Sequence, residues 1–271
     1  RNSGQAGERM DLNLEGNAAI ITASSSGLGK ASALALAAEG VDVVINGRKE
    51  KQLLSTAEEI RNTTSAGVAT LTGDIKDRNT LENLVNKAVD EYGRLDHLVT
   101  SAGGPPSGKT LETTESDWYE SFELLVMSVF RLVKEAEPYL KQGSGTIVNI
   151  ASRSVKEALD SLVLSNSVRM SVIGLEKTLS RELAPEVRVN SVLPGPHKTS
   201  RIEDLVEQSL ERGEIESRKE GLENWSQGVP METLGNPENL GHLVAFLSSK
   251  KAGFINGAAI PIDGGSSRSS L

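Results

Sequence analysis

The chain has 271 residues, no cysteine, three histidines and a formal net charge of −8. Disulfides and thiolate catalysis are therefore excluded and zinc is disfavoured, since His97, His197 and His242 show no ligand-like spacing. The acidic balance argues against nucleic acid, and no run of eighteen apolar residues suggests a membrane span, so a soluble cytoplasmic protein with one large core is expected.

Residues 1–10 are polar and lack a signal-peptide core, and read as a disordered arm or a vector-derived tail. The fold is expected over 11–271. Its leading stretch runs from Ala18 to Arg48: an apolar run to Ile21, a loop of small residues from Thr22 to Gly29, an alanine-rich segment from Lys30 to Gly40, and a second apolar run from Val41 to Ile45. That is strand, tight turn, helix, strand, the opening of a doubly wound α/β domain. Backbone amides at the helix start favour an anion such as a pyrophosphate, which makes Ser24, Ser26, Gly27, Leu28 and Gly29 candidate cofactor contacts. Ala23 stands where the usual turn has its first glycine, and its methyl narrows the approach without blocking it.

The end of the second strand bears on the choice of dinucleotide. A ribose diol is usually held by a carboxylate, and Asn46-Gly47-Arg48 offers none. The Arg48 guanidinium can pair with a 2′-phosphate, so NADP(H) is preferred over NAD(H). The alternative is that Arg48 and Lys49 simply begin a solvated helix.

Further on, Lys49–Ile60 reads as a helix and Val68–Asp74 as a strand whose terminal Asp74 can touch an adenine. Thr80–Tyr92 is helical, with Leu81, Leu84, Val85 and Ala88 on one face. Leu95–Gly104 is a strand in which His97 is expected to be a packed core residue. Ser116–Leu140 is one long amphipathic segment, Gly145–Ser152 the fifth strand, Ser165–Leu183 a long helix and Val187–Pro194 the sixth strand. The charged segment 200–231 is helical in places, Asn239–Ser248 is a helix, and Ala258–Gly265 a last strand. Short apolar strands alternating with helices suit a parallel sheet covered on both faces by right-handed crossovers.

In their order and spacing, TASSSGLG, GDIKD, LVTSAGG, IVNIAS, VIGLEKTLSRELAP, RVNSVLPG with Thr199, and INGAAIPIDGG resemble the short-chain dehydrogenase/reductase family, most closely its β-ketoacyl-carrier-protein-reductase-like members. The resemblance spans about Leu12 to Gly265. It implies a single doubly wound parallel sheet (a Rossmann fold) with a small helical lid over about 197–232. It also implies an NAD(P) cofactor, and a homotetramer or dimer in which the two long helices after the fourth and fifth strands pack between subunits. It adds Asp74, Ile75, Ala102, Gly103, Arg169, Pro194, Gly195 and Thr199 to the cofactor contacts.

The family's chemistry rests on an Asn–Ser–Tyr–Lys set, of which the resemblance leaves only the serine. Leu125 falls at the asparagine position, Ser152 at the serine, Ser165 at the tyrosine and Arg169 at the lysine. Ser152, Ser165 and Arg169 are thus the candidate catalytic residues, without the standard mechanism. A serine hydroxyl is far less acidic than a phenol, and it is too short to reach where the phenolic oxygen would sit. Arg169 can hold ribose hydroxyls but stays protonated and cannot relay a proton.

Three residues can stand in. Lys156 can donate a proton if burial lowers its pKa, or it is an exposed loop lysine paired with a carboxylate. His197 can approach the cofactor's amide side, or it is a surface residue of its loop. Ser152 can bond a carbonyl oxygen, or it caps the turn after its strand. In the lid, Ile202, Leu205, Val206 and Leu210 recur at helical spacing, and Leu222 and Trp225 add apolar surface, which suits an apolar or acyl small-molecule substrate or ordinary packing. Two main readings stay open: an NADP(H)-dependent carbonyl reductase or alcohol dehydrogenase with a non-standard site, and a catalytically silent dinucleotide-binding sensor or structural subunit. A third, a scaffold that binds no cofactor, would follow if Ala23 and Thr100-Ser101 abolish binding.

Overall fold

The computed structural model describes residues 10–270; residues 1–9, on which the expected N-terminal arm falls, and Leu271 lie outside the described residues. Seven parallel strands form one sheet in the order β3-β2-β1-β4-β5-β6-β7. They are β1 (Ala18–Ile21), β2 (Asp42–Gly47), β3 (Val68–Thr72), β4 (His97–Thr100), β5 (Gly145–Ile150), β6 (Val187–Pro194) and β7 (Ala259–Ile262). The chain order reverses between β1 and β4, which opens a crevice at the carboxyl ends of those strands.

Period-two alternation in the strands feeds two cores. On one face Ile20, Val44, Leu98, Ile147 and Val189 pack with apolar residues of α3 (Arg78–Tyr92), α5 (Ser128–Leu140) and α6 (Val163–Glu182). On the other, Ala19, Ile21, Val43, Ile45, Val99 and Val148 pack against α1 (Gly27–Ala38), α2 (Glu50–Thr63) and α9 (Pro237–Ser248). The small residues of α1 let α9 come close: a Cβ at Gly241 would lie 2.4 Å from the carbonyl oxygen of Ala31. Local signals fix helix ends, as in α3, where Asp77 caps the amide of Asn79 and Gly93 closes the helix at φ 71°.

Two expected elements differ. The segment Ser116–Leu140 is not uniform: α4 (Glu115–Phe122) passes through a π-helical turn, Glu123–Met127, into α5. The hydroxyls of Ser121 and Ser128 donate back to the carbonyls of Asp117 and Leu124, a pattern that loosens and bends helices. The fourth strand stops at Thr100 instead of running to Gly104. There the Ser101 amide donates to Thr22 Oγ1 at 2.8 Å and the Thr22 hydroxyl donates to Ser101 O at 2.7 Å, so bonds to the side chain just past β1 replace the ladder. The charged segment after β6 forms two helices, α7 (Ser200–Glu211) and α8 (Arg218–Gln227). Among the described residues, no helix is long and apolar enough to cross a membrane and no acidic or histidine cluster could hold a metal ion.

Candidate active site

The turn between β1 and α1 is built around close backbone contact. A Cβ at Gly29 would lie 2.6 Å from Ala23 O, so only glycine fits where the helix begins. Ala23 adopts φ 46°, a left-handed conformation that glycine takes freely and alanine takes at a cost of about 1–2 kcal/mol. Ser24 is fully buried, and its hydroxyl donates to Ile21 O at 2.7 Å and lies 3.3 Å from Asn46 O. Its side chain therefore shapes the turn. Ser26 caps α1 without a side-chain bond, which leaves the first-turn amides without that partner. Thr199 closes over the turn, its methyl 3.6 Å from a Cβ built at Gly27.

Around this turn, Arg48 is exposed at the end of β2 and Asp74 accepts the Lys76 amide in the turn after β3. Ile75 is buried, Gly103 is exposed, and Ala102, Pro194 and Gly195 are half-buried. A Cβ at Gly195 would collide with Asp263, at 2.7 Å from its Cα.

The candidate catalytic residues sit at and beyond the end of β5. Ser152 Oγ accepts the Ser154 amide at 3.1 Å, so the turn-capping role is realised. Ser165 is buried and its hydroxyl lies 3.0 Å from that of Ser154. Arg169 is buried too, reaching Ile150 O at 3.4 Å with Nη1, while its Nε has no hydrogen-bond partner among the described residues. Burial, reinforced by the charge of Arg201, pulls its pKa down to about 10. Leu125 lies in the π-helical turn, 3% exposed, and with Arg169, Ser101 and Ala102 lines a cavity of about 10 Å³.

The stand-in residues separate. Lys156 is half-buried, and among the described residues no carboxylate pairs with it; its neighbour Glu157 instead pairs with Arg153 at 2.7 Å. The exposed, paired lysine expected as one alternative is thus corrected. His197 is 4% exposed, hydrogen-bonded through Nδ1 to Gly195 O and walled in by Gly235, where a Cβ would lie 2.8 Å from the ring. It is a packed loop residue rather than a surface one, and burial lowers its pKa. His97 is the expected core histidine, held between Asn17 and Thr146 with its pKa pushed down to about 4 by burial.

Helix α7 is tied across the crevice to the loop after β4. Arg201 Nη2 donates to Pro105 O at 3.0 Å, the Ser107 hydroxyl donates to Gln208 Oε1 at 2.7 Å, and Arg212 Nη2 donates to Ser107 Oγ at 2.9 Å. Ile202 and Val206 are buried beneath the helix, while Leu205, Leu210, Leu222 and Trp225 are half-buried. Arg153, Pro196, Val206, Ile215 and Trp225 are among the residues lining a cleft of about 340 Å³ under α7 and α8.

A family model described as enoyl-(acyl carrier protein) reductase matches residues 22–267. The chain belongs to the short-chain dehydrogenase/reductase family. It is 31% identical over 256 residues to the 3-oxoacyl-[acyl-carrier-protein] reductase FabG of Thermotoga maritima, covering 94% of this chain and 99% of that one. It is also 31% identical over 254 residues to the NADPH-dependent reductase BacG of Bacillus subtilis, covering 93% and 98%. The structure of L-sorbose reductase from Gluconobacter frateurii, complexed with NADPH and L-sorbose, matches with a TM-score of 0.90 at 28% identity, covering 96% of this chain and 100% of that one. Like other short-chain dehydrogenases/reductases, this chain carries one doubly wound parallel sheet.

Two residues escaped the sequence reading. Asn46 was noticed only for its missing charge, yet its amide donates to Leu71 O and Gly73 O and its Oδ1 accepts from Ala23, joining β2, β3 and the turn. Arg201 went unremarked among the charged residues of its helix. Its signal is position, two residues after Thr199.

Proposed function

We propose that this member of the family is an NADP(H)-dependent oxidoreductase that interconverts a carbonyl and an alcohol at a site lacking the family's tyrosine and lysine. The observation that carries this reading is the turn itself: glycine-tight at Gly29, uncapped at α1, and opening onto the crevice between β1 and β4. Those residues fit a dinucleotide. The amides of Gly27, Leu28 and Gly29, with the Ser26 side chain, would hold the pyrophosphate, and Thr199, Pro194 and Gly195 would flank the nicotinamide half. Asp74 and Ile75 would meet the adenine, Ala102 and Gly103 the ribose, Arg169 the nicotinamide ribose, and Arg48 a 2′-phosphate. A relative solved with NADPH and another named as NADPH-dependent support the preference for the phosphorylated cofactor.

When bound, the cofactor supplies or accepts the hydride. The chain's own part is to orient a carbonyl and manage its proton. Ser152 would bond the carbonyl oxygen, and half-buried Lys156 on the adjoining loop, in no ion pair among the described residues, is the best-supported proton donor. Helices α7 and α8 would form the lid, with Val206, Ile215 and Trp225 giving it an apolar underside for an apolar or acyl substrate. Tyr119 and Phe122 on α4, Phe130 on α5 and Met170 on α6 are exposed, which supports association through these helices into a dimer or tetramer.

A second reading has an observation of its own. The Ser165 hydroxyl is spent on Ser154, and Arg169 cannot relay a proton, as suits a silent cofactor-binding sensor or subunit. NADPH oxidation against a panel of ketones and aldehydes separates the two. Turnover that falls about 100-fold in Ser152→Ala and whose pH profile shifts in Lys156→Met is the expected result. NADPH binding with no turnover of any carbonyl would make the silent reading correct.

A further inference from the structure

The chain that follows β7 stays against the site. Asp263 passes so close to the loop after β6 that a Cβ at Gly195 would lie 2.7 Å from its Cα. Gly264, at φ 64°, then passes Val229 just beyond α8, where a Cβ would lie 2.5 Å from the valine side chain. The Asp263 carboxylate closes a turn, accepting the amides of Gly265 at 3.0 Å and Ser267 at 2.8 Å. That turn delivers the next residues to the loop after β5. There Glu157 takes one donor from each side: Arg153 Nη1 donates to Oε1 at 2.7 Å, and the Arg268 amide donates to Oε2 at 3.2 Å. Arg153 Nη1 also lies 3.5 Å from Ser266 O.

Arg153 and Glu157 are four residues apart, and an ion pair of that kind near the surface contributes little by itself. A carboxylate bonded at both oxygens by donors from two segments is a different case, because its position is fixed from both sides. The piece of chain so held is short. Arg153 directly follows Ser152, and Glu157 directly follows Lys156. Within it the Lys156 amide donates to Arg153 O at 2.8 Å and Ser152 Oγ accepts the Ser154 amide, so the turn is braced internally as well. Arg153 also lines the cleft under α7 and α8, which puts one member of the pair in the cleft wall.

We infer that Glu157 is a positioning residue: by joining the turn from Ser152 to Lys156 to the segment after β7, it sets how those two side chains face a carbonyl. This rests on the oxidoreductase reading and deepens it. It gives residues 263–268 a part in the reaction without any contact with substrate.

The test compares the wild type, Glu157→Gln and Arg268→Pro, the last of which removes the amide donor and leaves both side chains of the ion pair in place. Two quantities are read: hydrogen–deuterium exchange of the amides from 153 to 157, and NADPH-dependent reduction of a panel of ketones and aldehydes. Exchange in the turn is expected to be about tenfold faster or more in both variants, while the amides of β5 exchange as in the wild type. The kcat is expected to fall about tenfold or more with NADPH affinity unchanged, since small displacements of reacting groups are costly. Unchanged exchange in either variant overturns the inference. So does faster exchange with unchanged kcat, which would make the tie structural only. A wild type that turns over no carbonyl strikes the oxidoreductase reading instead. The exchange rates then decide the tie alone, faster exchange in both variants supporting it and unchanged exchange overturning it.

Discussion

At Ser165 the hydroxyl is held by a structural bond, 3.0 Å from that of Ser154. A phenol can be drawn towards neutrality by a neighbouring cation, whereas an aliphatic hydroxyl stays protonated and here bonds Ser154 inside the wall of the site. The same residue scale governs Glu176, which is buried on α6, bonded through one oxygen to the Ser191 hydroxyl, with Oε1 unpartnered. Burial pushes its carboxyl up to about 8. A raised folded-state value means its stabilising contribution is complete below about 4.5 and is lost as pH rises through about 8. Glu176→Gln is therefore expected to flatten the fall in stability between pH 5 and 9, read from urea midpoints; an unchanged pH slope would show that the carboxyl ionises without penalty. Neither residue announced its state in sequence. Ser165 stood out by its place in a motif, but its Ser154 partner and the burial of Glu176 depend on how α6 lies against β5 and β6.

Elements were more legible than residues, because apolar runs and helical periods are local. β1 and β6 were read to the residue, and α1, α2, α3, α6 and α9 to within a turn. The misjudged boundaries have non-local causes. β4 is cut short by Thr22, a residue 79 positions away from Ser101, and the π-helical turn at Glu123–Met127 keeps the same apolar face that an unbroken helix would show. The packing of α1 on α9 makes an element-scale prediction. Gly241→Ala places a methyl against Ala31 O, so the helices must separate. The expected cost is about 1–3 kcal/mol, a fall in Tm of roughly 2–4 °C for each kcal/mol, measured by calorimetric melting. An unchanged Tm would mean that the two helices are not held at the distance described.

Over the whole molecule, the sheet order places the β1 turn, the ends of β4 and β5, and the β6 loop with Thr199 along one crevice, although they lie up to about 180 positions apart. The tight turn at Gly29 was legible because small residues between a strand and a helix follow from backbone geometry. The lid contacts were not, since Arg201, Gln208 and Arg212 look in sequence like any solvated helix face. An NADP(H) cradle joined to altered acid–base chemistry is the central claim, and the cradle comes first. Titration calorimetry of NADPH and NADH against the wild type and Arg48→Ala tests it most directly. The account predicts that NADPH binds more tightly than NADH, and that Arg48→Ala weakens NADPH about tenfold or more while leaving NADH nearly unchanged. No binding of either cofactor at millimolar concentration would contradict it.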